Sequence, residues 1–575
     1  MDTRRGRHLD TTRGRYTLLI CGIKVSHDGG IAVIADGRLL FSIEMEKLKN
    51  GRRYSDLGDL AEIAELLRAQ GVDPRDIDRF VVDGWHTGSP EAGYHVATRR
   101  HGVEFLLPTA SYMPDSTPSG VLSGLEFAGV PGTALADGYV SYTHASNHAL
   151  GAYCTSPFAR RREDALVLVW DGGMLPWLFE VDAAQGTVTR RSPVMTLVGN
   201  TFTGFCSQLE PYARDQATMT EAEFLRQQLE VPGKAMAYAA LGSVDASAFE
   251  IFDALLGELD GVNEKVAFHL GRQAATRRDE LFPGLSSADL IATFQAYLGQ
   301  RLISGLAQYL NRTDRTAPNL CLAGGCALNI KWNRALADSG LFAEVWIPPF
   351  PNDSGAALGT ASCEMVRQGD GLALDWNVYS GPELDQTGPA PGWSARPCDE
   401  AQLAQLLAAE NEPVVVLHGR AELGPRALGN RSILSPATDL SMKATLNKIK
   451  GREHYRPVAP LCLQEHAATV FRPGGTDPYM LFEHDIRTEW ADRVPAVAHL
   501  DGSARLQTIT ADTPGTVAGR ILTEYHRLTG IPVLCNTSAN LAGSGFLPGV
   551  GSATRWGGTK YVWSGAVLYT QDGTV

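Results

Sequence analysis

The sequence contains no C-x-x-C pair, although it has nine cysteines. The nine are odd in number and scattered along the chain, so they do not form the regular framework of a disulfide-stapled protein. The paired cysteines of zinc fingers are missing as well. We therefore expect reduced thiols, as in a cytoplasmic protein.

Long hydrophobic runs are also missing, because no stretch approaches the roughly 20 apolar residues that a membrane helix requires. The basic N-terminus leads only into a short apolar run at residues 18–23, which predicts a strand and not a signal peptide. Positive charge is in deficit, since 51 Lys and Arg residues face 64 Asp and Glu residues, a net charge of −13. That balance opposes attraction to a polyanion, so we expect neither a membrane nor a nucleic-acid partner.

The composition is that of a folded protein, with 575 residues of which 44% are hydrophobic and 20% are charged. This length calls for two or three domains. Irregular, glycine- and proline-rich sequence from about residue 367 to residue 399 marks a boundary. We therefore predict an α/β N-terminal domain over residues 16–366, a linker over 367–399 and a separate α/β C-terminal domain over 400–575.

The predicted N-terminal domain repeats one pattern, in which a buried strand is followed by an Asp-Gly loop and a β-hairpin. The strands are predicted at residues 16–25 and 165–170. Backbone N–H groups in such loops can approach phosphate, although a single loop is equally well an ordinary turn. Together they resemble the duplicated actin-like (ASKHA) ATPase fold, with a third glycine turn for adenosine or ribose. The predicted nucleotide-binding residues are Gly172, Gly173, Gly324, Gly325 and Asn329.

Two histidines and two carboxylates form a candidate metal site. His144 and His148 are four residues apart and would share one helix face, while Asp171 and Asp353 lie at the starts of loops. This set suits a divalent transition metal such as Fe(II), Mn(II) or Zn(II), which would bind phosphate oxygens. The alternative is a pair of surface or helix-capping histidines. His27 is a candidate general base for a substrate hydroxyl, or else a loop histidine bonded to backbone.

The predicted C-terminal domain contains a basic loop region. From Arg420 to Arg456 the chain has eight basic residues against three acidic ones. Arginines held in tight glycine and proline loops favour bidentate binding of oxyanions. Residues 536–540, Asn-Thr-Ser-Ala-Asn, follow a predicted strand and offer short polar side chains to a phosphate, the alternative being a helix-capping turn. The candidate ligands are Arg420, Arg426, Arg431, Asn536 and Ser538.

Three motifs resemble the carbamoyltransferases of antibiotic biosynthesis and nodulation. They are Gly-Arg-Ala-Glu-Leu-Gly-Pro-Arg-Ala-Leu-Gly-Asn-Arg-Ser at 419–432, Lys-Gly-Arg-Glu-His-Tyr-Arg-Pro at 450–457 and Asn-Thr-Ser at 536–538. The resemblance covers nearly the whole chain and implies a TsaD-like, actin-like domain followed by a YrdC-like domain. The opening block at 24–55 looks closest to the hydroxymethylcephem branch. Ala539 departs from the phenylalanine of the family motif.

The resemblance implies an ATP-dependent O-carbamoyltransferase. Such enzymes join ATP and carbamoyl phosphate as carbamoyl-AMP in the YrdC-like domain, then transfer carbamoyl to a small-molecule hydroxyl at the metal-bearing TsaD-like domain. The implied roles are metal ligands for His144, His148, Asp171 and Asp353, with Fe(II) expected, adenylate formation for Lys450, Arg456, Arg426 and Ser538, and acceptor contact for His27.

Two alternatives to this function remain at the level of sequence. A hydrogenase-maturation carbamoyl factor shares both domain types, but it places the YrdC-like unit first and carries C-x-x-C pairs. A non-catalytic, actin-like nucleotide-binding protein would have no use for the basic loop region. The sequence leaves the oligomeric state open, a homodimer included.

Overall fold

The computed structural model describes residues 16–48, 51–85, 87–89, 91–114, 120–215, 218–257 and 265–573. In these residues the chain is mixed α/β, with two large sheets in the N-terminal region (residues 16–366) and one in the C-terminal region (residues 393–573). No helix in the described ranges combines the length and the apolar character needed to cross a bilayer.

The first large sheet is built around an apolar strand that is buried along its whole length. The strands of this part are β1 (Leu19–Lys24), β2 (Gly30–Ala35), β3 (Arg38–Glu44), β4 (Arg79–Asp83), β5 (Thr87–Ser89), β6 (Gly93–Arg100), β7 (Val103–Thr109), β8 (Leu125–Phe127) and β9 (Tyr139–Tyr142). The sheet has the order β3-β2-β1-β4-β9-β8, while β5 to β7 form a separate small sheet. Because β1 and β4 are parallel, Lys24 and Asp83 end at the same edge.

The second large sheet has five strands, in the same relative order as β3-β2-β1-β4-β9 of the first sheet. It contains β10 (Ala165–Val169), β11 (Trp177–Asp182), β12 (Thr187–Pro193), β13 (Asn319–Ala323) and β14 (Val345–Trp346). The order is β12-β11-β10-β13-β14, with β11 and β12 antiparallel and β13 and β14 parallel to their neighbours. Both predicted strand-loop-hairpin units are therefore present at the predicted positions.

Two helices lie between these sheets, and each packs on the sheet other than the one that it follows in sequence. The helices of the N-terminal region are α1 (Glu62–Ala69), α2 (His144–Cys154), α3 (Pro157–Arg161), α4 (Thr201–Cys206), α5 (Glu221–Tyr238), α6 (Ala248–Gly257), α7 (Lys265–Thr276), α8 (Arg278–Leu281), α9 (Ser287–Arg312), α10 (Ile330–Asp338) and α11 (Ala356–Arg367). Helix α2 follows the first sheet but packs on β10 and β13, whereas α11 packs on β1 and β2. The two helices touch closely, since a Cβ at Gly359 would lie 2.2 Å from the carbonyl oxygen of Asn147.

The C-terminal region has its own apolar core around a mixed eight-stranded sheet. Its strands are β15 (Trp393–Pro397), β16 (Val414–Leu417), β17 (Arg431–Pro436), β18 (Ala459–Leu463), β19 (Phe471–Arg472), β20 (His484–Ile486), β21 (Ser503–Ala504), β22 (Gln507–Ile509), β23 (Val533–Ser538), β24 (Tyr561–Ser564) and β25 (Val567–Gln571). Its helices are α12 (Glu400–Glu410), α13 (Ser441–Ile449), α14 (Ala467–Val470), α15 (Thr488–Ala491), α16 (Ala518–Thr529) and α17 (Val550–Trp556). The large sheet runs β15-β25-β24-β16-β17-β23-β18-β22.

Part of the predicted linker is a strand. Strand β15 lies inside residues 367–399 and pairs antiparallel with β25 at the edge of the sheet. Ser394, Ala395 and Arg396 are all exposed, so this strand lacks the alternation of apolar and polar residues that would predict it. The same segment also bonds to β3, where the Ser42 N–H donates to the Ser380 carbonyl over 2.9 Å. It is therefore packed against both regions.

A buried lysine joins the two regions, at a contact that we call the Lys47 clasp. The ammonium of Lys47 is buried and donates to the Glu44 carboxylate over 2.9 Å, to the Gly424 carbonyl over 2.7 Å and to the Glu422 carbonyl. The Glu44 carboxylate in turn accepts from the Gly424 N–H over 2.8 Å. Gly424 has φ +87°, and a Cβ there would lie 2.0 Å from the Pro349 carbonyl oxygen. Residues 422–424 are thus held from two sides by the N-terminal region.

Replacing Lys47 by Met should destabilise the protein. The change leaves the buried Glu44 carboxylate without its counter-ion and two buried carbonyl groups without the lysine donor. Breaking a buried pair on one side costs about 3–5 kcal/mol, so we expect the free energy of unfolding to fall by about 3 kcal/mol in urea titrations. Lys560→Met is the control, because its 2.7 Å ion pair with Glu412 is exposed and should contribute under about 1 kcal/mol. Equal midpoints for the two variants would contradict the clasp.

Candidate functional site

The four predicted metal ligands converge where the two sheets of the N-terminal region meet. His144 and His148 lie on the first turns of α2, Asp171 follows β10, and Asp353 directly precedes α11. All four are buried, and their ligand atoms lie within 4.8 Å of one another. The predicted grouping is therefore present, and the alternative of surface histidines is wrong.

The spacing of these atoms fits one metal ion. Nε2 of His144 lies 3.0 Å from Nε2 of His148, 3.3 Å from Oδ1 of Asp353 and 3.7 Å from Oδ2 of Asp171. Ligand atoms about 2.1 Å from one ion, at angles of 90–109°, lie about 3.0–3.4 Å apart. Two imidazoles with two carboxylates also match the chemistry of a divalent transition metal.

A layer of charged groups behind the ligands sets their orientation. Nδ1–H of His144 donates to Asp83 over 2.9 Å, which leaves Nε2 facing the other ligands. Lys24 lies between two carboxylates, 2.8 Å from Asp83 and 2.8 Å from Asp353. Burial alone would raise the pKa of Asp83, but His144 and Lys24 hold that pKa well below its usual value. Lys24 thus compensates much of the negative charge of the site.

The predicted glycine loops surround Asp171. Its carboxylate accepts from the Gly325 N–H over 2.5 Å and from the Tyr112 hydroxyl over 2.6 Å. Gly172 and Gly173 follow Asp171 directly, and a Cβ at Gly324 would lie 2.9 Å from the Asp171 Cβ. The structure therefore brings both glycine loops to the metal-ligand set.

His27 lies at the open side of the same cluster. Its Nε2 is 3.6 Å from the Asp353 carboxylate and its Nδ1 is 3.3 Å from Asp28. Burial lowers the pKa of His27, but the charge of Asp353 and the hydrogen bond to Asp28 outweigh it and raise the pKa. The side chain is 15% exposed, against 0–5% for His144, His148 and Asp353. Of these histidines, His27 is the one placed to meet an entering molecule.

A second site surrounds Lys450 in the C-terminal region. The buried ammonium of Lys450 donates to Ser538 Oγ over 3.1 Å, to the Asn540 carbonyl over 2.8 Å and to Asn540 Oδ1 over 2.6 Å. All these acceptors are neutral. Burial, followed by the charges of neighbouring arginines, holds the pKa of Lys450 well below its usual value. Oxygen atoms of the predicted turn at 536–540 therefore accept hydrogen bonds from a lysine.

Arginines gather around this lysine with little negative charge to balance them. The members of this arginine cluster are Arg53, Arg426, Arg452, Arg456 and Arg505. Burial first, and then the charges of Arg505, Arg53 and Arg456, hold the pKa of Arg426 well below its usual value. Burial and the charges of Arg456 and Arg452 likewise lower the pKa of Arg505 to about 10. An anion would relieve this excess of charge.

Three residues predicted to bind ligand have other roles. Arg431 is buried and gives its guanidinium to the carbonyl groups of His418 and Asn430, over 2.8 and 2.9 Å, and of two further residues. The tight loop that suggested a ligand role uses this arginine to satisfy its own backbone carbonyl groups, and its place among the ligand residues stays a prediction. Arg420 instead contacts Glu383 over 3.2 Å. Asn329 caps α10, with Oδ1 accepting from backbone N–H groups.

Further residues lie around the two sites, and only some of them were predicted from the sequence. Asn536 lies two residues before Ser538 on β23 and bonds Gln507 over 2.7 Å, with its own Oδ1 buried and unpartnered among the described residues. The residues to which the sequence assigned no role in a site are Lys24, Asp83, Tyr112 and Arg505. Lys24 and Asp83 left a signal, since each is a charged residue at the end of an apolar strand.

Family models match the chain in both regions. A model described as "Carbamoyltransferase N-terminus" matches residues 19–362, and one described as "Carbamoyltransferase C-terminus" matches residues 404–560. Together the matched spans include the metal-ligand set, Lys450, and every member of the arginine cluster.

Curated relatives align over almost the whole length. Nodulation protein U of Rhizobium tropici is 43% identical and covers 96% of this chain and 96% of its own. The 3'-hydroxymethylcephem-O-carbamoyltransferase of Streptomyces clavuligerus is 33% identical and covers 94% of this chain and 96% of its own. Identity is thus higher to this nodulation protein, and the suggested cephem branch rests on the opening block alone.

Similarity to solved structures is low. The activator of the 2-hydroxyisocaproyl-CoA dehydratase from Clostridium difficile, with bound ADPNP, is 13% identical, covers 61% of this chain and 97% of its own, and has a TM-score of 0.32. At that TM-score the likeness supports no argument.

The metal-ligand set predicts a loss of metal on mutation. A His144→Ala, His148→Ala double variant removes two of the four donors, so elemental analysis should find no stoichiometric metal. Asp83→Asn keeps the donors but loosens His144, and should weaken metal affinity about 10- to 100-fold. His466→Ala, His526→Ala is the matched control, because those rings are also 4.5 Å apart but lie outside the set. Metal retained by the first variant would exclude the site.

Proposed function

The chain belongs to the carbamoyltransferase family, and from this we propose that it is an ATP-dependent O-carbamoyltransferase with two separate active sites. The C-terminal region, taken as YrdC-like, would form carbamoyl-AMP. The N-terminal region, taken as actin-like and TsaD-like, would transfer the carbamoyl group to a hydroxyl. The support for this division is chemical: one site gathers cations and the other gathers metal donors.

The observation that carries the proposal is the buried ammonium of Lys450. It is held by neutral oxygens of Ser538 and Asn540, amid arginines. A buried cation without a carboxylate partner is unfavourable unless an anion completes it. Phosphate groups supply that anion, and arginine forks bind them in a bidentate manner. ATP and carbamoyl phosphate both carry such groups, so Lys450, Arg426 and Arg456 would hold the reacting phosphates.

Atom balance fixes the products of the activation step. One water cleaves carbamoyl phosphate to carbamate and phosphate, and a carbamate oxygen then attacks the α-phosphorus of ATP. The bond that breaks in ATP is the one to pyrophosphate. Carbamoyl-AMP, pyrophosphate and phosphate are released, and the cations stabilise the negative charge that develops during the attack.

The transfer step would use the residues around His27. A divalent metal bound by His144, His148, Asp171 and Asp353 would act as a Lewis acid toward phosphate or carbonyl oxygens. His27 would take the proton of the acceptor hydroxyl as its oxygen attacks the carbamoyl carbon, and AMP would leave. Asp28 and Asp353 hold the His27 ring for this role. The products are the O-carbamoylated acceptor and AMP.

The acceptor would be a small secondary metabolite. Relatives are named as a nodulation protein and as a hydroxymethylcephem carbamoyltransferase. The second name identifies a hydroxymethyl group as the acceptor of that enzyme. For this chain we propose the shared chemistry, an accessible hydroxyl on a small molecule, in agreement with the partly exposed ring of His27.

Replacing Lys450 by Ala should abolish activation and spare the metal site. Loss of one fixed cation at developing charge costs about 2.7–4 kcal/mol, or 10²- to 10³-fold in rate. The measurement is pyrophosphate release from ATP with carbamoyl phosphate, together with metal content. Lys448→Ala is the control, because Lys448 is an exposed lysine on α13. Pyrophosphate release by Lys450→Ala at the rate of this control would exclude the assigned site.

Replacing His27 by Asn should impair transfer alone. General bases contribute about 10²- to 10⁴-fold, so carbamoylation of an acceptor should fall by that factor. Metal content and pyrophosphate release should remain at wild-type values, because His27 is not in the metal-ligand set. Mass spectrometry of the acceptor, with an assay for carbamoyl-AMP, reports both steps. Unimpaired transfer would remove His27 as the base.

A further inference from the structure

A segment of the N-terminal region reaches into the second site. Beyond the Lys47 clasp, the chain around residue 53 runs along the loop at 541–546. The Arg53 N–H donates to the Gly543 carbonyl over 3.0 Å, and the Gly545 N–H donates to the Gly51 carbonyl over 2.7 Å. Arg52 forms a β-bridge with Ser544. The described part of this segment therefore behaves as an added strand on a loop of the other region.

That loop is part of the Lys450 site. It begins directly after Asn540, which accepts two hydrogen bonds from the Lys450 ammonium. The Ala542 N–H also donates to the Lys450 carbonyl over 3.1 Å. The next residue along the chain is Gly543, whose carbonyl accepts from the Arg53 N–H. Two main-chain hydrogen bonds on adjacent residues, Ala542 and Gly543, thus connect Lys450 and Arg53.

Within the described part of the chain, the guanidinium of Arg53 makes no ion pair within 4.0 Å, although Tyr54, Glu46 and Asp28 raise its pKa. It lies over the Tyr54 ring, 4.8 Å from the centroid. Among the described residues, no carboxylate lies within 4.0 Å of the guanidinium of Arg53, Arg426 or Arg505. The Nε atoms of Arg426 and Arg505 are also buried without a hydrogen-bond partner in that part of the chain. The three arginines carry donors that a ligand can use.

The electrostatics agree with one shared pocket. The charge of Arg53 is among those that lower the pKa of Arg426, Lys450, Arg456 and Arg505, after burial as the main cause. The pKa of Arg53 itself is raised, because the charges of Tyr54, Glu46 and Asp28 in the N-terminal region outweigh its burial. Arg53 therefore interacts electrostatically both with carboxylates of the N-terminal region and with the cations around Lys450.

We propose that Arg53 is a phosphate-binding residue of the activation site, contributed by the N-terminal region to a pocket otherwise built by the C-terminal region. The assignment rests on the proposed formation of carbamoyl-AMP and extends it to a residue outside the C-terminal motifs. A guanidinium fork suits a phosphate of either substrate, ATP or carbamoyl phosphate. The activation half-reaction then requires both regions in contact.

The test compares two adjacent arginines in the full-length protein. Arg53→Met should lower kcat/KM for pyrophosphate release about 100-fold, as for loss of one fixed donor. Arg52→Met is the matched control and should keep the wild-type value, because Arg52 is exposed and contributes only its backbone. Arg53→Lys keeps the charge without the fork and should recover part of the loss. The KM for ATP and the KM for carbamoyl phosphate, measured separately, identify which phosphate Arg53 binds.

The outcomes separate this inference from the proposed function. If the wild-type protein releases no pyrophosphate, the proposed function fails. If the wild type is active and Arg53→Met matches Arg52→Met, the inference is wrong and the function stands. If Arg53→Met does not fold, Arg53→Lys decides alone: a KM for one phosphate substrate raised about tenfold supports the inference, and two unchanged KM values overturn it.

Discussion

The buried ammonium of Lys47 fixes the relation between the two sites. Its hydrogen bonds end on the backbone at residues 422–424, two positions before Arg426. The opposite face of Gly424 meets the Pro349 carbonyl, four positions before the metal ligand Asp353. One contact therefore lies between residues of the two proposed sites. Because the donors and acceptors are buried, water would not replace these hydrogen bonds if they were broken. The contact therefore fixes the position of the loop at residues 422–424 relative to the loop at Pro349.

The two sites balance their charge in opposite ways. In the metal-ligand set, Lys24 bridges Asp83 and Asp353, so the protein supplies its own counter-charge. In the arginine cluster, the one ion pair that Arg456 makes with the described residues is a 3.7 Å contact with Glu453. That pocket carries an electrostatic cost in the ligand-free protein. A bound polyanion would reduce the repulsion between these cations. Ligand binding would therefore raise the free energy of unfolding of the protein.

Local pattern predicted the elements well and the roles of single arginines poorly. The strands expected at 16–25 and 165–170 are β1 and β10 with shorter bounds, because continuous apolar runs decide both. The His144 and His148 spacing likewise predicted the metal-ligand set. Arg426 and Arg431 share one glycine-rich loop, and only the folded backbone shows that Arg431 faces carbonyl groups. The approach of Arg53 to residue 543 depends on tertiary contact, which local sequence does not encode.

The tight contact at Gly424 also limits how such enzymes can diverge. Any side chain at this position would strike a backbone carbonyl of the N-terminal region, so a substitution there demands a matching backbone change at Pro349. The two regions must then evolve as a pair. Hybrids made by recombining regions from different relatives inherit this constraint. They would remain functional only when both parents follow the same backbone path at this point, whichever acceptor each parent recognises.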